Sequence, residues 1–312
     1  MAHKANEPDK QVGPPPWLLA AEVSGMTNPS TASTAPTGWR GELTLDYTAR
    51  QGRTVGQDRH SGPLRVLQPL YPEGPGICHH VLVHPPGGVV GGDELHINAT
   101  LAPGTHALLT TPGATRFYRS EGALALQQTT LQVAGGARLE WLPLETIVHS
   151  GCLAHNRLRA ELAPGAEMMG WDTLVLGLAA ASQPFVAGWY GQHLELPGVW
   201  LEKARIAAAD HALLHGPLGW AGHTVLATLW FAAGAALAPA RRDTLLDAAR
   251  AAIAGHALAA TAGCSAPQSR VVVLRALACG VEPAMQLLTQ VRAAWRQAGW
   301  GLKAQPPRIW HT

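Results

Sequence analysis

The stretch that most restricts what this chain can fold into is Cys78-His79-His80-Val81-Leu82-Val83-His84-Pro85-Pro86-Gly87-Gly88-Val89-Val90-Gly91-Gly92-Asp93. Val81, Leu82 and Val83 favour an extended backbone, and the double proline stops the run because proline has no N–H to give a ladder. Two glycine pairs then bracket Val89 and Val90. Glycine enters φ > 0 without a steric penalty, so the backbone is expected to fold back tightly twice before the acid Asp93 closes the segment. A histidine-bearing strand held between such corners belongs to a turn-rich β protein.

The rest of the chain agrees. Leu43, Leu45 and Tyr47 alternate with Glu42, Thr44 and Asp46, the period-two pattern of a half-buried strand. Short β runs follow at 64–67, 78–83, 94–101, 106–111, 123–133, 137–142 and 146–149, punctuated by Pro-Gly or Gly-Gly turns at 103–104, 112–113, 135–136 and 164–165. With 34 Gly, 24 Pro and only 14% charged residues, this spacing predicts a sandwich, barrel or helix-like stack. No fixed repeat length is evident, which argues against a regular solenoid. Past residue 222 the period changes. An apolar run at 224–231 precedes a helical pattern at 241–254 with Leu245, Leu246, Ala249, Ala252 and Ile253 on one face. A strand at 270–277 precedes a helix at 283–298 striped by Ala284, Leu288, Val291 and Trp295, with Gly299 as its stop. The expected fold is therefore mainly β, a turn-rich β-helix-like or sandwich body with a C-terminal α+β unit containing two helices. Its divisions are a flexible leader at 1–37 with a short helix near 17–23, the β body at 38–222 and the α+β unit at 223–312.

Charge and motifs exclude several functions. A net charge of +2 without a Lys/Arg run does not suit nucleic acid. Cys78, Cys152, Cys264 and Cys279 form no CxxC pair, so neither a zinc ribbon nor a disulfide framework is indicated and the expected compartment is the reducing cytoplasm. The first residues carry Lys4, Glu7, Asp9 and Lys10 rather than the apolar core of a signal peptide, and no run is long and apolar enough for a membrane span. A P-loop, a GxSxG elbow and an HExxH zinc motif are all missing, so the chain is expected not to be an enzyme. The low charge suggests a surface covered by a partner.

Histidines, cysteines and acids carry what chemistry remains. Cys78 and His80 fall on one face of the strand and His79 on the other. Thiolate and imidazole suit borderline divalent ions such as Ni²⁺, although a buried thiol and a hydrogen-bonded imidazole explain the same residues. His84 either anchors the turn or faces an ion. Asp93 either caps the glycine corner or carries a charge at a polar channel. Arg116, Tyr118 and Arg119 form a second polar knot, at an interface or pairing with Glu140 and Glu145, which flank Trp141-Leu142-Pro143; pairing is the favoured reading. Trp171-Asp172 reads as a further core anchor.

In order, these segments resemble the urease accessory protein UreD family, also called UreH. The resemblance rests on Gly62-Pro63-Leu64, Gln68-Pro69-Leu70-Tyr71-Pro72-Glu73, Cys78-His79 with His84 to Asp93, Thr110-Thr111-Pro112-Gly113-Ala114, Phe117-Tyr118-Arg119-Ser120, Leu139-Glu140-Trp141-Leu142-Pro143, Trp171-Asp172 and Pro307-Arg308-Ile309-Trp310. It spans 38–312, is stronger in the first half, and departs at Leu144, at His149-Ser150-Gly151-Cys152, at 177–185 and at Ala204. It implies a β-helix-like fold with two helices and a non-enzymatic scaffold for urease maturation. Such a scaffold binds apo-urease and a helical partner, UreF, which recruits the GTPase UreG, and nickel passes through a water-filled interior channel. Cys78, His79, His84 and Asp93 are the expected transient nickel contacts, and Arg116, Tyr118, Arg119, Glu140 and Glu145 shape the channel or interface. No tightly bound cofactor is expected, because transit needs weak, exchanging contacts. A metal-dependent β-fold hydrolase and a purely structural interaction module are the alternatives.

Overall fold

Leu43, Leu45 and Tyr47 of β1 (Arg40–Arg50) are buried in alternation with half-buried neighbours, as the pattern predicts, up to the exposed Ala49 and Arg50. The computed structural model describes residues 38–311, so the leader expected at 1–37, with its short helix, lies outside the described residues. Gln51 and Gly52, both at positive φ, turn β1 into the antiparallel β2 (Arg53–Ser61). The short β3 (Arg65–Val66) then pairs antiparallel with β4 (Ile77–Val83).

From there the chain winds in stacked coils. β5 (Glu94–Leu101), β6 (His106–Thr110) and β7 (Thr115–Phe117) make one coil, and β8 (Ala125–Val133), β9 (Arg138–Leu142) and β10 (Thr146–Val148) make the next. A third follows in β11 (Cys152–Leu162) and β12 (Glu167–Leu176). Corresponding strands pair in parallel: β5–β8–β11 in one sheet, β4–β6–β9–β12 in a second, and β7–β10 in a short third row. Ile77 lies beside His106, His106 beside Arg138 and Arg138 beside Glu167, so each coil takes about 30 residues, within the range of solenoid repeats.

One corner recurs. Ala102-Pro103-Gly104-Thr105, Ala134-Gly135-Gly136-Ala137 and Ala163-Pro164-Gly165-Ala166 each close with an N–H to C=O bond from the fourth residue to the first, at 3.3, 3.0 and 2.9 Å. Gly104, Gly136 and Gly165 sit at φ of 75°, 75° and 83°, where a side chain is strained. The body is thus solenoid-like after all. The strands and loops between corners differ in sequence, so the repeat does not show as a fixed period.

The first sheet is finished by β13 (Gly188–Leu196), parallel to β11, and the antiparallel β14 (Trp200–Ala207). After α1 (His211–His215), β15 (Val225–Ala233) joins the second sheet beside β12. Then come α2 (Pro239–Ala254), β16 (Ala262–Gln268), β17 (Val271–Ala278) and α3 (Val281–Trp295), with β17 pairing to both β15 and β16. Strands from either side of residue 222 therefore share one sheet. One core lies between the two sheets, with Leu43, Leu139, Met168 and Trp230. A second lies between the other face of the second sheet and α2 and α3, with Met169, Trp171, Leu245 and Leu288. A sheet covered on both faces explains why β6 and most of β12 are buried along their length.

The two helical stripes hold: Leu245, Leu246, Ala249 and Ile253 are buried on α2, and Ala284, Leu288, Val291 and Trp295 on α3. The stop does not fall at Gly299. The α-helix widens into a π-turn, Arg296–Trp300, and Gly301 at φ 65° provides the left-handed end. Gly299 instead lets the chain pass close to the Phe231 ring.

Candidate functional site

The four glycines of the opening stretch divide two tasks. Gly87 and Gly92, at φ 75° and 96°, take the left-handed backbone. Gly88 and Gly91 supply room instead: a Cβ on Gly88 would overlap the Tyr118 ring, and one on Gly91 would overlap Ser120 and the Ala123 carbonyl. The Asp93 carboxylate accepts the Trp39 N–H at 2.8 Å and the Val90 N–H at 3.0 Å. Of its two candidate roles, capping the corner is the one its bonds make.

The first of these corners borders an open pocket of about 170 Å³, with His84, Gly87, Gly88 and Arg116 among its wall residues. Beneath it lies a cavity of about 20 Å³, enough for a water molecule, which shares Thr115, Gln127, Trp141 and Pro143 with the pocket. The inner wall is mixed: Thr129, Thr146, Asn156 and Asp172 line it together with Leu158, Leu194 and Trp230, between the two sheets. Asp172 accepts a 2.6 Å bond from Gln192 Nε2. Burial first, and Glu202 second, push its carboxyl up to about 7 against that hydrogen bond. Gln192 Oε1 and the indole N–H of Trp230 are buried without a protein partner among the described residues, as suits groups that water satisfies, and the Tyr190 hydroxyl is buried beside Asn156 and Thr146. Trp171 of the Trp171-Asp172 pair is the expected core residue; Asp172 is the one acid lining the inner cavity among the described residues.

A second polar centre ties the helices to the coils. Glu140 on β9 is fully buried and accepts bonds from Arg292 Nε at 2.7 Å, Arg296 Nη1 at 2.8 Å and His106 Nε2 at 3.1 Å. Glu73 bonds Arg296 as well and lies 2.9 Å from His79 Nε2. Burial alone would raise Glu140, but Arg292, His106 and Arg296 outweigh it and hold the carboxyl at about 2. Since an ionised carboxylate only accepts, His106 donates from Nε2. Burial keeps that imidazole below its ordinary range, so it is neutral.

Of the four candidate metal contacts, His84 and Asp93 are close enough for the carboxylate to act on the imidazole, while Cys78 and His79 occupy other surroundings. Cys78 and His80 do share a face of β4, where His80 Nδ1 meets the Tyr47 hydroxyl at 2.7 Å and Gly56 packs against the ring. Burial pushes the Cys78 thiol up and His80 down to about 4, so the first is protonated and the second neutral. His79 turns to Glu73, His84 to the pocket and Asp93 to the backbone. Among the described residues no three His, Cys, Asp or Glu side chains gather as a metal group.

The expected pairing of Arg116 and Arg119 with Glu140 and Glu145 does not form. Both arginines are exposed, and among the described residues neither joins an ion pair; Glu140 takes its arginines from the end of α3. The Tyr118 ring lies against His149 in a tilted arrangement with centroids 4.8 Å apart, and Glu145 contributes its backbone carbonyl to the Thr115 N–H. Arg292, Arg296, His106 and Glu73 are the residues that sequence reasoning missed. Arg292 and Arg296 continue the line Leu288, Arg292, Arg296 at helical spacing beside the apolar stripe, which is the signal that was there to find.

Comparison with known proteins is consistent over this whole region. The family described as UreD urease accessory protein matches residues 40–311. A urease accessory protein UreD of Leptothrix cholodnii is 62% identical over 276 residues, 88% of this chain and 99% of that protein. Those of Verminephrobacter eiseniae and Variovorax paradoxus are 62% and 59% identical over 87% and 88% of this chain and 99% of each relative.

Proposed function

The chain belongs to the UreD urease accessory protein family, and from that premise we propose that it is a non-catalytic cytoplasmic scaffold in urease maturation. In this reading it binds apo-urease and a UreF-like helical partner, and through that partner a UreG-like GTPase. Ni²⁺ is its cargo and crosses the polar interior toward urease. The observation that supports the route is the open pocket at the glycine corners sharing four wall residues with the inner cavity of Asp172.

The wall suits passage better than storage. His84 at the rim offers one imidazole, and burial keeps it below its ordinary pKa, so it is neutral and able to donate a lone pair to a cation. Inside, the donors are hydroxyl and amide oxygens with a single acid, too few for a closed cage. Asp172, poised near neutrality, holds a proton when no cation is near and gives it up when one approaches, because a positive charge favours the carboxylate. The glycine corners and the Asp93 cap keep this entrance in one shape.

Co-purification tests the assembly. The tagged chain, expressed with urease subunits and the UreF-like and UreG-like proteins, is expected to bring down both urease and the UreF-like protein. Recovery of the tagged chain alone, folded and soluble, would contradict the scaffold.

A further inference from the structure

Outside the interior route, α1 carries two exposed imidazoles one helical turn apart, His211 and His215, with ring centroids 5.9 Å apart and planes 19° apart. The turn is held firmly. Asp210 caps it through the Leu213 N–H at 3.0 Å, Leu214 anchors it in the core, and the following loop bonds back to the Leu213 and Leu214 carbonyls. We propose that His211 and His215 form a surface binding site for a borderline divalent transition ion, of which Ni²⁺, Cu²⁺ and Zn²⁺ are the class.

Three observations carry it. Histidines at i and i+4 share a helix face, the spacing by which paired imidazoles chelate metals. An ion about 2.1 Å from a ring nitrogen lies about 3.2 Å from that ring's centroid, so rings 5.9 Å apart are within reach of one ion; their planes are stacked in this structure, and both exposed side chains turn about their χ angles to aim a nitrogen at it. Neither ring is hydrogen-bonded among the described residues. By contrast His60, His79, His80, His96, His106 and His193 each spend a nitrogen on a side-chain partner. A third imidazole, His223, lines the same surface cavity of about 500 Å³. Its Nδ1 lies 2.8 Å from the Trp220 carbonyl, which can only accept, so Nδ1 carries a hydrogen. A backbone carbonyl behind an imidazole is the usual support of a metal-binding histidine. Because no three candidate ligands converge among the described residues, water completes the shell, and the site exchanges its ion readily.

The test uses the full chain and NiCl₂ alone. Diethyl pyrocarbonate labelling read by peptide mass spectrometry is expected to show both His211 and His215 protected by Ni²⁺. Equilibrium dialysis is expected to show His211→Ala/His215→Ala binding one ion fewer than the wild type, and each single variant binding that ion at least about tenfold more weakly, since a chelate loses its second arm. Equal labelling of both rings with and without Ni²⁺, protection of one ring only, or an unchanged ion count in the double variant would overturn the site. The labelling is done on the unaltered protein, so it does not depend on how the variants fold. A failure here leaves the interior route untouched.

Discussion

Arg292 Nε, near the end of α3, lies 2.7 Å from Glu140 Oε2 on β9, a residue 152 positions earlier in the chain. With Arg296 on the same carboxylate and on the half-buried Glu73, this bond fastens the C-terminal helix to the coils through the fully buried charges of Glu140, Arg292 and Arg296. Taking such charges out of water is costly, and only their mutual pairing offsets it.

Removing one side of that pairing is therefore expected to be severe. Glu140→Ala leaves two buried guanidinium groups without their shared carboxylate and should lower stability by about 3–5 kcal/mol, measured by urea denaturation at neutral pH. Because Glu140 is held at about 2, below the unfolded value of 4.5, its contribution is full above that value and is lost as pH falls toward 2. An acid limb of equal size in the wild type and in Glu140→Ala would contradict the assignment.

Asp172 has the opposite sign. Its carboxyl is raised to about 7 from 3.8, so native and unfolded chains both hold the proton at low pH, and the native state is penalised as pH rises through that window. The wild type should lose on the order of a few kcal/mol between pH 4 and pH 8 from this residue alone, and Asp172→Asn should remove that part of the slope. Identical pH profiles for the two proteins would show that Asp172 titrates in the fold as it does in the unfolded chain.

The glycine corner separates space from backbone. Gly88→Ala should cost about 1–3 kcal/mol by pushing the Tyr118 ring aside, and Tyr118→Leu in the same chain should recover part of it. Gly87→Ala meets no neighbour and should cost about 1 kcal/mol through its φ of 75° alone, with no recovery from Tyr118→Leu. Asp93→Ala removes the acceptor for two backbone N–H groups and should lower the melting temperature as a lost cap does, typically by about 1 kcal/mol of stability. Equal recovery of both glycine variants by Tyr118→Leu would contradict this division.

The local patterns in the sequence carried most of the strands. Leu43, Leu45 and Tyr47 alternate inward as read, residues 94–101 form β5 to the residue, and both helical stripes are buried. What local patterns do not hold is pairing across long separations. Nothing near Glu140 announces Arg292, and reading α3 as an apolar stripe passed over the two arginines beside it. A helix-like stack was among the expected forms, but no fixed period singles it out, because only the corner carrying Gly104, Gly136 and Gly165 repeats. Trp171 is core as expected, but its neighbour Asp172 points the other way, as alternation along β12 requires, and so reaches the cavity between the sheets.

The central claim is that the polar interior between the pocket and Asp172 carries Ni²⁺ to urease. The direct measurement is the nickel content of urease purified from cells that co-express it with its accessory proteins and either the wild-type chain or Asp172→Leu. The account predicts that the variant co-purifies with urease at the wild-type yield while nickel per urease active site falls severalfold. Undiminished nickel in urease from the intact Asp172→Leu complex would contradict it.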